Sequence, residues 1–147
     1  MSAAAFARCI GGGSRNEPSV PAHISEIMKG SAMKIIVEAK VDIDAARRAE
    51  ALDGALPWIE GAQAQAGCLG YFWTADPHHP SRVHVFEEWE SADALAMHLA
   101  GPQYRGMLDH ISQFGITNAV SRKFAVEREG AVYNAAGVAS AEFESSP

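Results

Sequence analysis

Apolar and polar positions alternate along the chain with two different periods, and the switch between them marks out the elements. In KIIVEAKV, residues 34–41, Ile35, Val37, Ala39 and Val41 fall on one face while Glu38 and Lys40 fall on the other. Period two of this kind predicts a half-buried strand. Asp44 is a candidate N-cap, and after it Ala45, Ala49, Leu52, Leu56 and Ile59 recur at helical spacing, predicting a helix that Gly54 and Pro57 kink or break near Leu56. Gly67 ends that helix. The aromatic run CLGYFWTA predicts a second strand, the loop DPHHPS excludes regular structure through its two prolines, and RVHVFEEW predicts a third strand that closes a hairpin. Ser91 caps a short helix carrying Leu95 and Leu99, and Gly101-Pro102 stops it and starts another, striped by Tyr104, Met107, Leu108 and Ile111. Gly115 turns the chain into a last strand spanning about 117–127, with Val120, Phe124 and Val126.

The order is βαββαβ with the second helix in two pieces. Its physical solution is a four-stranded antiparallel sheet with the helices on one face, an α+β, ferredoxin-like fold. The other face is then bare, and its apolar content exceeds what a monomer ordinarily leaves in water. Covering it with the same face of a second copy gives a homodimer, a dimeric α/β barrel closed by a two-fold axis.

Composition sharpens this. Residues 1–32 are small and polar, with three consecutive glycines at 11–13 and prolines at 18 and 21. They predict a flexible extension, or alternatively a short helix at 23–29 that docks on the domain; the domain proper is expected at 33–129, and 130–147 reads as a tail. The chain of 147 residues carries 12 basic and 18 acidic side chains, a net charge of −6, and 48% hydrophobic residues. That is the balance of a globular protein and weighs against nucleic-acid binding, which needs clustered cations. No apolar run approaches the roughly 18 residues that span a bilayer. With only Cys9 and Cys68, no disulfide framework is expected, and a cytoplasmic setting is the default.

The segment GCLGYFWTADPHHPSRVHVFEEWESADALAMHLAGPQYRGM resembles the antibiotic biosynthesis monooxygenase family of dimeric α/β barrels. The likeness covers about 33–129. It rests on the Gly-Cys strand start, the Asp-Pro loop, Glu87 two residues before Trp89, the Ser91 cap, and His98 followed by Tyr104. It implies oxidation of a phenolic, quinol or polyketide-like molecule by molecular oxygen, with no metal or flavin cofactor. Haem-degrading relatives place an asparagine, a tryptophan and a histidine where gap-free matching puts Ala39, His98 and Leu108, so the haem branch is not expected. Polyketide-oxidising relatives place a tryptophan and a tyrosine six residues apart, where this chain has His98 and Tyr104. Relatives that rearrange phosphorylated sugars fit poorly with a matched segment short of basic residues.

For such chemistry an imidazole suits proton abstraction, because its ordinary pKa near 6.5 lets it accept a proton near neutrality. His98 is therefore the expected base, and Tyr104 the expected hydrogen-bond donor to the oxyanion. Each also has a structural reading: His98 as a helix-edge histidine satisfied by a carbonyl, Tyr104 as part of the apolar stripe. Phe72, Glu87, Trp89 and His110 are the expected substrate contacts, though large aromatics more often fill cores and His110 more often packs along a helix. Glu87 shares a strand face with Val83, Val85 and Trp89, which takes it to a cavity or a subunit contact. Trp58 and Trp73 are further candidates for an aromatic site. His78 and His79 invite a metal, but they lack a ligand-set spacing, so none is expected. Two other readings stay open: a proton-transfer enzyme such as an isomerase using the same histidine, and a ligand-binding or interaction domain without catalysis.

Overall fold

The computed structural model describes residues 33–143. The predicted helix at 23–29 and the extension before residue 33 lie outside them. Strands β1 (Ile35–Asp42), β2 (Cys68–Ala75), β3 (Arg82–Trp89) and β4 (Asn118–Ala125) form one antiparallel sheet in the order β2-β3-β1-β4, the ferredoxin-like arrangement expected. Helices α1 (Arg48–Gln63), α2 (Ala92–Ala100) and α3 (Pro102–Ile111) lie between them in sequence.

The register puts side chains into rows across the sheet. Tyr71, Glu87, Val37 and Lys123 form one row, and Trp73, Val85, Ala39 and Ser121 the next. These odd-numbered positions face the helices, as the burial of Val41, Val83, Val85, Glu87 and Trp89 shows. The even-numbered positions face away. There Phe72 stacks on Phe86 with ring centroids 6.3 Å apart, Arg122 pairs with Glu38 at 2.9 Å, and Val120 and Phe124 are exposed.

Helix α1 departs from expectation. Asp44 does cap, accepting from the Ala46 amide at 2.9 Å, but it caps a 3-10 turn (Ala45–Arg47) that leads into an uninterrupted helix through Pro57. The buried stripe is only partly the predicted one: Leu52 and Ile59 pack against the core, but they are not its most buried members. Ala51, Ala55 and Ala62 are buried, whereas Leu56 is 54% exposed. Small residues face inward because α1 packs tightly on α3: a Cβ on Gly106 would lie 2.3 Å from the Trp58 ring, and one on Gly54 would lie 2.6 Å from His110. The other predicted punctuation holds. Ser91 accepts from the Ala94 amide at 3.1 Å, Pro102 opens α3, and Gly115 adopts a left-handed φ of 68°.

The proline-flanked loop is organised by Asp76, which accepts from the His78 and His79 amides at 2.7 and 3.0 Å and contacts His84 Nε2 at 2.6 Å. The Arg48 guanidinium donates to three carbonyls there, those of Asp76, His79 and Arg82. These histidines therefore belong to a loop anchor, and among the described residues no group of three or more His, Cys, Asp or Glu side chains has metal-site geometry. Nor is any described helix long and apolar enough to cross a membrane.

Candidate active site

A chamber of about 370 Å³ lies between the inner face of the sheet and helices α2 and α3. Val37, Ala39, Val41 and Val85 make its floor, and Leu95, Leu99, Met107 and Leu108 its roof. It runs from β2 to β4, three strand spacings or about 14 Å. Its β2 end is where the polar groups gather: Tyr71, Trp73, Glu87 and Tyr104. At the β4 end, Ser121, Arg122 and Lys123 stand at the rim.

Strand parity explains this grouping. Tyr71 and Trp73 pair with Glu87 and Val85, all on the inward face, and α3 brings Tyr104 over them. Phe72, between the two aromatics, necessarily points to the opposite face and is 50% exposed there, so it is no part of the chamber. His110 is also elsewhere. Its Nε2 lies 2.8 Å from the Ala51 carbonyl, tying α3 to α1.

Glu87 is the unusual group. Its side chain is buried on a mostly apolar wall, and its Oε2 accepts a hydrogen bond from Trp89 Nε1 at 2.9 Å. Burial raises its pKa above the ordinary carboxyl value, and the Trp89 bond only partly offsets this. Burial likewise raises the Tyr104 phenol, with the Glu87 charge adding to the effect, and raises Tyr71 strongly. Trp73 Nε1 is buried with no hydrogen-bond partner among the described residues. A buried donor on the chamber wall is costly unless a ligand or water fills its valence.

His98 sits one layer behind this wall. It is fully buried, in an aromatic cage with ring centroids 4.6 Å from Trp89, 5.3 Å from Tyr71 and 5.6 Å from Tyr104. Its Nδ1 is 2.6 Å from Gln65 Oε1, and its Nε2 has no partner among the described residues. With Nδ1–H donating to Gln65, Nε2 carries the lone pair, and burial lowers the imidazole pKa to about 4. The ring is thus neutral at pH 7, and it is not among the residues that line the chamber. Trp89 is fully buried and also reaches the chamber only through Glu87. Gln65, Tyr71, Ser121 and Lys123 were not singled out by sequence reasoning, although the parity that marks Glu87 as inward would have marked Tyr71 as well.

The model of the antibiotic biosynthesis monooxygenase family matches residues 34–109, which hold three of the four strands and nearly all of the helices. The chain belongs to that family. Members and look-alikes of known structure share its fold at low identity. A Deinococcus radiodurans protein provisionally named an antibiotic biosynthesis monooxygenase superposes with a TM-score of 0.62 at 18% identity, over 68% of this chain and 99% of its own. A similarly named Chloroflexus aurantiacus protein gives 0.54 at 23% identity, over 66% and 97%. A Bacteroides thetaiotaomicron protein of unknown function, described as a possible oxidoreductase, gives 0.59 at 18% identity, over 65% and 100%. Among curated proteins no match is found. At these identities the solved structures speak for the fold, and the chemistry has to be argued from the chamber.

Proposed function

We propose that this antibiotic biosynthesis monooxygenase family member oxidises a phenolic, quinol or polyketide-like molecule with molecular oxygen, and that Glu87 rather than His98 accepts the substrate proton. The carrying observation is the buried Glu87 carboxylate on the chamber wall, with Tyr71, Trp73 and Tyr104 beside it. His98, behind the tyrosines, acts in this reading as a positioning residue that holds their rings.

The magnitudes allow it. A free phenol has a pKa near 10, and the Glu87 carboxyl lies above 4.5, so transfer costs less than about 7.5 kcal/mol at 1.36 kcal/mol per unit. Three charge-assisted hydrogen bonds to the new oxyanion, from Tyr71, Trp73 and Tyr104, contribute about 1.5 to 3 kcal/mol each. Their sum matches the deficit. The electron-rich anion then reduces oxygen. With a phenol or anthrone, one oxygen atom enters the ring carbon as the second quinone carbonyl and the other leaves as water, taking up both displaced hydrogens. A quinol, which already carries both oxygens, instead passes two electrons and two hydrogens to oxygen and releases hydrogen peroxide. The family resemblance, which includes oxygenases working without metal or flavin, supports the cofactor-free form of this reaction.

Two copies pairing through the outer sheet face complete the proposal. Phe72, Phe86, Val120 and Phe124 supply apolar area there, and the Glu38–Arg122 pair offers both charges, as a self-complementary two-fold contact needs. Oxygen uptake on a panel of hydroquinones and anthrones tests the activity: one oxygen consumed per quinone formed, lost in Glu87→Gln and Tyr104→Phe, supports it. Uptake unchanged in both variants refutes the site, and no uptake with any substrate refutes the reaction.

A further inference from the structure

The chamber is polar at both ends, and the reaction above does not use the groups at the β4 end. β4 carries two adjacent cations, and the strand's alternation sends them to opposite faces. Arg122 lies on the outer face and is held by Glu38 through Nε and Nη2 at 3.2 and 2.9 Å. Lys123 lies on the inner face in the row Tyr71, Glu87, Val37, Lys123, and lines the chamber. No carboxylate among the described residues is within ion-pair distance of it, which is equally true of Lys40, Arg48, Arg105 and Arg128, but of these unpaired cations Lys123 alone lines the chamber. Glu87 shares its row but stands two strands away, about 10 Å.

Lys123 is an exposed ammonium at the rim of an apolar chamber, on a protein of net charge −6, and the other cation bordering the chamber, Arg122, is already paired with Glu38. Only an anion profits from that ammonium. The spacing fixes where that anion belongs on the ligand, since the donors and proton acceptor sit at the β2 end and the ammonium at the β4 end.

We propose that the chamber selects aromatic acids, with the phenolic end against Glu87 and Trp73 and a carboxylate at the far end of the ring system paired with Lys123. This deepens the reading of the chamber as a phenol-binding site and rests on it. The expected ligand is a planar system of two or more rings bearing a hydroxyl and a carboxylate at opposite ends. Lys123 is then a specificity-determining residue.

Titration calorimetry under nitrogen, where no turnover occurs, tests this with 6-hydroxy-2-naphthoic acid and its neutral carboxamide, which have the same ring, the same phenol and nearly the same size. Wild type and Lys123→Arg are expected to bind the acid about two- to fivefold more tightly than the amide at low salt, a preference that shrinks as salt screens it. Lys123→Gln is expected to bind both equally, with amide affinity unchanged. Equal affinities in wild type, or a preference that survives in Lys123→Gln, overturn the assignment of Lys123 while leaving the chamber intact. If neither compound binds wild type at millimolar concentration, the phenol-binding reading falls and this inference with it.

Discussion

Trp89 Nε1 donates to Glu87 Oε2 at 2.9 Å, and the two residues stand two apart on the same inward face of β3. The indole holds the carboxylate in place and gives it one partner where an ionised group in a buried wall requires several. Glu87 therefore remains an eager proton acceptor. Its raised pKa means the folded state binds a proton more readily than the unfolded chain, so its contribution to stability is fully present below about 4.5 and is lost as pH rises through the folded value. Glu87→Gln, which keeps an acceptor for Trp89 Nε1, is expected to raise the melting temperature at pH 7 by a few degrees while abolishing oxygen uptake. A calorimetric scan at pH 7 checks it; a lowered melting temperature counts against a strained carboxylate.

His98 shifts the opposite way. Its imidazole is neutral in the fold with a pKa of about 4, against an ordinary 6.5 in the unfolded chain. The unfolded chain takes up the proton first, so stability is full above pH 6.5 and declines as pH falls towards 4, by at most about 3 kcal/mol. His98→Phe, which preserves an aromatic ring against Trp89, is expected to flatten urea-measured stability across that window. The steeper loss below pH 4, where Asp42 gives up its bond with Arg82, is expected to remain. An unchanged slope between pH 6.5 and 4 in the variant contradicts the buried neutral imidazole.

What the sequence made legible follows from where its signals are strong. Period two in KIIVEAKV and RVHVFEEW fixes both strand and facing, and it put Glu87 inward without any structure. The same parity separates Tyr71 and Trp73 from Phe72, so assigning Phe72 to the site overlooked a signal that was present. The buried stripe of α1 was hidden for a different reason. Alanine scores alike on exposed and buried faces, and only the close approach of Trp58 to Gly106 shows why Ala51, Ala55 and Ala62, rather than Leu56, are inside. The expected role of His98 came from ordinary imidazole acidity, which assumes contact with water. A ring enclosed by Trp89, Tyr71 and Tyr104 does not have that acidity, and enclosure depends on β2, β3 and α3 at once, which no local spacing reveals.

That close approach is itself testable. A methyl group at Gly106 would collide with the Trp58 ring at 2.3 Å, so α1 and α3 must separate or the indole must move. Gly106→Ala is expected to cost about 1 to 3 kcal/mol despite the better helix propensity of alanine, and adding Trp58→Leu to make room is expected to recover part of that. Chemical denaturation of the single and double variants gives the answer. A Gly106→Ala protein more stable than wild type contradicts the packing.

Phe72 and Phe86 lie on the face that a second copy is proposed to cover. Replacing both by glutamate puts four carboxylates into the proposed seam, so light scattering is expected to report a dimer for wild type and a monomer for the double variant. A wild-type monomer at high concentration refutes the pairing.

The claim that the chamber strips a proton from its ligand through Glu87 is tested most directly without oxygen, by the ultraviolet spectrum of a bound phenol. On adding a hydroxynaphthalene to anaerobic wild-type protein at pH 7, the phenolate band is expected to appear well below the pH at which the free compound ionises. In Glu87→Gln the bound ligand is expected to stay neutral, and in His98→Phe the band is expected to persist. A phenolate that forms equally in Glu87→Gln, or that disappears only with the loss of His98, contradicts the account.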